Sequence, residues 1–72
     1  MLTTTQAEIL GMLANGKILK QIACERGIKI GTAWRHAEMA KRILGASTIT
    51  QAVVLYVIGK SGNIPEQING VN

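Results

Sequence analysis

Residues 20–36 read Lys20-Gln21-Ile22-Ala23-Cys24-Glu25-Arg26-Gly27-Ile28-Lys29-Ile30-Gly31-Thr32-Ala33-Trp34-Arg35-His36. Ahead of Gly27, the apolar residues Ile18, Leu19, Ile22 and Ala23 share one face at helical spacing. That spacing predicts a short helix from residue 18 or 19 to residue 26. Gly27 ends it, because glycine takes the left-handed conformation without a Cβ penalty. Beyond the turn, Ala33, Ala37, Ala40 and Leu44 recur at intervals of four, three and four. They form the inner face of a longer helix from about residue 30 to residue 44, which Gly45 closes. Three alanines on that face let the helix lie close to its neighbours. About four residues around Gly27 join the two helices, the length and chemistry of a helix-turn-helix.

Outward from this pair, the chain supplies one helix on each side. Thr3 with Gln6 has the spacing of a capping box, and Thr5 with Glu8 has the same spacing. Ile9, Leu10, Met12 and Leu13 follow at helical intervals, and Asn15-Gly16 stops the helix. On the other side, Ser47 or Thr48 caps a fourth helix that runs to about residue 60. Ser61-Gly62-Asn63 stops it, and Pro65 follows. Residues 66–72 carry little apolar pattern. No strand-like alternation, internal repeat or low-complexity tract is present. The expected architecture is all-α, a four-helix domain over residues 1–62 with a C-terminal tail over residues 63–72.

Composition narrows the function. A chain of 72 residues holds one small core and no second lobe. A single cysteine, Cys24, excludes an internal disulfide, and a single histidine, His36, excludes a Cys/His zinc cluster. Neither histidine nor glutamates form a catalytic constellation. Glu25 and Glu38 read as solvated residues rather than an acid/base pair, and Cys24 as an inert thiol. No enzyme activity and no cofactor are expected. The free thiol and the polar start, Thr3-Thr4-Thr5-Gln6-Ala7-Glu8, point to the cytoplasm rather than to export. The longest apolar run, residues 52–58, is far too short to span a bilayer. Eight Lys/Arg against four Asp/Glu give a net charge of +4, the balance of a domain that meets a polyanion.

Set side by side, the motifs resemble the LuxR/FixJ/GerE helix-turn-helix family. Leu2-Thr3 with Gln6-Ala7-Glu8-Ile9-Leu10 is similar to the family's opening Leu-Thr and Glu-x-Glu-Val-Leu. Ala14-Asn15-Gly16 resembles its small-x-Gly, Lys20-Gln21-Ile22-Ala23 its Lys-Glu-Ile-Ala, and Thr32-Ala33-Trp34-Arg35-His36 its Thr-Val-x-x-His. Leu44-Gly45-Ala46 and Ala52-Val53 complete the series, in order and without gaps over residues 2–53. The chain departs from the pattern where the family usually has Arg (Thr5), Asn (Leu19), Leu (Arg26), Ser (Lys29), Lys or Arg (Trp34) and Arg (Ile49). Lys29 has no acceptor oxygen and cannot cap the third helix as serine does, a loss of about 1 kcal/mol. Gly31 in the first turn adds up to roughly 1 kcal/mol more. The start of that helix is therefore expected to be loose until it docks. Because the chain begins one residue before the Leu-Thr pair, it resembles the stand-alone members. If full length, it is expected to lack gating in cis by phosphorylation or an autoinducer.

The resemblance implies double-stranded DNA as the partner and the third helix as the recognition helix. Its outer stripe presents Gly31, Trp34, Arg35, Glu38, Lys41 and Arg42. Trp34, Arg35 and Glu38 fall where the family makes base contacts. Arg35 suits guanine O6 and N7. Glu38 suits a cytosine amino group, or orients Arg35, and Trp34 suits a thymine methyl or the sugar-phosphate edge. Lys20, Lys29, Thr32, Lys41 and Arg42 are the candidates for phosphate contact, with Lys17 a further one. His36 is expected to be structural, as in the family.

The fourth helix is apolar all round, so one side needs a cover other than the core. Ala52, Val53 and Tyr56 are expected to face inward, and Val54, Leu55 and Ile58 outward as a homodimer interface. Stand-alone members of the resembled family dimerise through this helix. The C-terminal tail, through Ile64 and Ile68, is the other candidate cover. The expected function is thus a sequence-specific, homodimeric transcriptional regulator. The alternative is an interaction module of the same fold that binds another regulator or RNA polymerase.

Overall fold

Thr3 opens the first helix through a reciprocal cap. Its Oγ1 accepts from the Gln6 N–H at 3.1 Å, while its own N–H donates to Gln6 Oε1 at 3.0 Å. Of the two capping boxes that the spacing allows, the chain uses this one, and Gln6 is buried in the process. In the computed structural model, which describes residues 1–61, four helices follow: α1 (Thr4–Ala14), α2 (Leu19–Arg26), α3 (Ile30–Ile43) and α4 (Ile49–Ser61). No strand occurs among the described residues. The expected tail over residues 63–72, and its two isoleucines, lie outside them.

The turn between α2 and α3 is built as its sequence requires. Gly27 sits in the left-handed region at φ 68° and ψ 32°. The Ile28 N–H donates to the Ala23 carbonyl at 3.0 Å, which closes the last turn of α2. Lys29 then stands at the N-cap of α3 with no side-chain hydrogen bond, as its lack of an acceptor dictates. At the head of α4, the Gln51 N–H donates to Thr48 Oγ1 at 3.0 Å, and the Ser47 N–H donates to Gln51 Oε1 at 2.6 Å. Thr48 is therefore the capping side chain, and Ser47 contributes its backbone.

α1 packs against both α3 and α4, and α2 lies chiefly on α3. The core comes in two adjoining clusters. Ile9, Ile22 and Ala37 form one, flanked by Met12, Leu13, Leu19 and Ile49. Leu10, Ala40 and Ala52 form the other, flanked by Leu13, Leu44, Val53 and Tyr56 among others. Leu13 touches both. Ala33, Ala37 and Ala40 are fully buried, so α3 approaches its neighbours on three small side chains.

Two faces differ from expectation. Ile18, expected on the inner face of α2, is 58% exposed. It occupies the N-cap, where its backbone is extended (φ −95°, ψ 160°), so the helical wheel does not reach it. On α4, Ala52, Val53 and Tyr56 do face the core, joined by Ile49. The expected outer set of Val54, Leu55 and Ile58 is only partly outside. Val54 is exposed, Leu55 and Ile58 are half-buried, and Val57 is exposed beside Val54. Ile49, Ala52, Val53 and Tyr56 set the inner stripe at three- and four-residue spacing. Leu55 then falls at its margin, and Val57 turns to the outside.

Candidate nucleic-acid interface

The N-terminal half of α3 projects from the domain. Lys29, Ile30, Gly31, Thr32, Trp34 and Arg35 are all exposed. The first four, with Arg35, line a shallow hollow around the uncapped start of the helix. Thr32 and Ala33 donate their N–H groups to the Lys29 carbonyl, both at 3.0 Å. The exposed N–H groups ahead of them point out from the positive end of the helix dipole. A second hollow, one turn on, is lined by Trp34, Arg35, Glu38, Met39 and Arg42. Arg35 belongs to both.

Ion pairs sort the cations. Glu8 holds Arg26 at 2.7 Å, Glu25 holds Lys17 at 2.6 Å and Glu38 holds Lys41 at 2.6 Å. Lys60 lies over the Tyr56 ring, 5.8 Å from its centre, on the far helix. Lys20, Lys29, Arg35 and Arg42 are left without an ion pair among the described residues. All four belong to the helix-turn-helix. The acidic side chains thus neutralise cations at Lys17, Arg26 and Lys41, and leave the positive charge at the head of α2, the turn and the outer stripe of α3.

Each expected site residue has a definite place in this arrangement. Trp34 and Arg35 stand on the outer surface, with Arg42 two turns beyond. Glu38 is on the same stripe, but its partner is Lys41 rather than Arg35, and the two side chains are only 17% and 22% exposed. Lys20 is exposed in the first turn of α2. The His36 side chain is half-buried, with no hydrogen bond or ion pair among the described residues, and Cys24 is exposed. Met39, 47% exposed, also lies on this face, although neither charge nor aromatic character marks it in the sequence. Its position four residues after Arg35 and three before Arg42 was the signal that placed it on this face.

No described helix is long and apolar enough to cross a membrane. Four helices, with the second and third in a tight turn and the unpaired cations gathered on them, define a helix-turn-helix DNA-binding domain. Comparison with known families matches residues 1–56 to the one described as bacterial regulatory proteins, luxR family (GerE). The chain belongs to that family, whose members are DNA-binding transcription regulators and not enzymes. No curated protein and no solved structure matches the chain significantly. The last turn of α4, including Val57, lies beyond the matched residues.

Proposed function

We propose that the chain is a sequence-specific regulator that works in the cytoplasm as a homodimer, with α3 of each protomer in the major groove. The observation that carries this reading is the segregation of unpaired cations onto the helix-turn-helix. Arg35, central on the exposed stripe, reads guanine through O6 and N7. Trp34 lies against base or sugar edges beside it. Glu38 uses one carboxylate oxygen for Lys41 and offers the other to a cytosine amino group. Lys20, Lys29, Arg42 and the Thr32 hydroxyl hold phosphates, with Lys41 contributing less because Glu38 already compensates its charge.

Dimerisation uses α4. Val54 and Val57 are exposed by 50% and 44%, an apolar pair with no cover among the described residues. With Leu55 and Ile58 at the margin they form a self-complementary patch. Two recognition helices related by such a contact meet half-sites about one turn of DNA apart. The exposed apolar groups also favour a second reading, in which the same fold binds another regulator or RNA polymerase.

Salt dependence separates the readings. Three phosphate-bound cations per protomer give a slope of log K against log salt of about −3 per protomer. Association through Val54, Val57 or Trp34 with a protein gives a slope near zero. Titration of the full chain with duplex DNA at several salt concentrations measures it. A flat dependence would remove the DNA reading.

A further inference from the structure

The second hollow on α3 has apolar walls between charged rims. Trp34, Arg35, Glu38, Met39 and Arg42 line it, and their three- and four-residue intervals make them one continuous patch of helix surface. Glu38 does not fill its centre freely, because its Oε1 is drawn to Lys41 Nζ at 2.6 Å. What faces outward is the Trp34 indole, 51% exposed, and the Met39 thioether, 47% exposed. The guanidinium groups of Arg35 and Arg42 stand beside them, unpaired among the described residues.

A thioether has no donor and is only a weak acceptor, so Met39 has nothing to offer a phosphate or a base amide. It gains only by covering apolar surface. The two unpaired guanidiniums that flank it favour a polyanion as the occupant. In the major groove of DNA, the apolar group among the base edges is the C5-methyl of thymine. A helix rises about 1.5 Å per residue, so Met39 lies about 6 Å along the axis from Arg35. That is within about two base pairs at roughly 3.4 Å each.

Resting on the reading of α3 as the recognition helix, we propose that this hollow seats the C5-methyl group of a pyrimidine, with Met39 and Trp34 as its walls, close to the guanine that Arg35 reads. Met39 is then a specificity-determining residue of the DNA site.

The test uses duplexes enriched by the full chain from a random-sequence pool. Each thymine is replaced in turn by deoxyuracil, which removes the methyl and keeps every hydrogen-bonding group. The expected result is a thymine within about two base pairs of a guanine whose replacement weakens binding about fourfold, the worth of one buried methyl. Met39→Gln should bind the two duplexes equally, and Met39→Leu, still apolar, should keep the difference. Both changes sit on exposed helix surface, and unchanged circular dichroism checks the fold. Equal binding of thymine and deoxyuracil duplexes at every position by the unsubstituted chain overturns the methyl seat and leaves the recognition helix standing. A difference that survives in Met39→Gln overturns the role of Met39. Failure to enrich any sequence overturns the seat and the recognition reading together.

Discussion

At the scale of single residues, the side chains that can meet DNA are those left available after the protein has satisfied its own ion pairs. Arg35 has no ion pair among the described residues and stands where two hollows meet. Arg35→Ala should weaken binding to the specific site by roughly 1–3 kcal/mol while leaving non-specific binding nearly unchanged. Fluorescence anisotropy with matched and scrambled duplexes reads this difference, and equal losses on both would return Arg35 to the role of a general cation. Glu38 pairs with Lys41 and, on the proposed reading, also accepts from a cytosine amino group, so Glu38→Ala should have two effects. Preference for cytosine at one position should relax, and the released Lys41 should steepen the salt slope by about 0.9. A site preference that does not move would leave Glu38 only as the partner of Lys41. The exposure of Trp34 and Arg35 was legible in the sequence, because helical spacing from the buried alanines fixes the outward stripe. The choice of Lys41 by Glu38 was not. Arg35, Lys41 and Arg42 all lie three or four residues from Glu38, and spacing alone does not rank them. Met39 was not legible as a site residue, because an uncharged thioether carries no polar signal.

At the scale of elements, caps decided the boundaries, and caps are written in the sequence. Thr3 with Gln6, Gly27 and Thr48 each end or begin a helix through a backbone group that needs a partner. Ile18 was misplaced because a cap residue is half outside its helix, and periodicity assigns it a face it does not occupy. At Lys29 the proposed reading sets stability against binding. Lys29 leaves the start of α3 without a side-chain acceptor, yet it adds an unpaired cation beside the hollow at the helix terminus. Lys29→Ser should restore the cap and stabilise the domain by about 1 kcal/mol. That corresponds to a rise in Tm of roughly 4–8 °C for a domain of this size. On the proposed reading the same change removes a phosphate contact, and it should lower the salt slope by about 0.9. Thermal melts and salt titrations on one preparation check both, and a rise in Tm without loss of slope would take Lys29 out of the interface.

At the scale of the whole molecule, the core is small. Ile9, Leu10 and Ile22 are its large, fully buried side chains, and α3 is packed on alanines. Such a core leaves apolar surface on α4, where every residue from Ala52 to Ile58 is apolar and four faces cannot all turn inward. That surplus was legible from composition. Which residues carry it was not, because a helix without a polar side has no pattern to set its rotation; the packing of Ile49, Ala52, Val53 and Tyr56 does so instead. Val54→Glu with Val57→Glu should yield a monomer by sedimentation equilibrium, with helix content retained and specific affinity sharply reduced. Persistence of the dimer in that variant would move the interface elsewhere.

The claim that joins these scales is that the unpaired cations of α2 and α3 serve sequence-specific recognition of DNA. Capture of genomic fragments by the purified chain at about 150 mM salt, where counterion competition suppresses non-specific binding, tests it most directly. The captured fragments should share a roughly palindromic motif with half-sites about one helical turn apart. Recovery of no shared motif by protein that circular dichroism shows to be folded would contradict it.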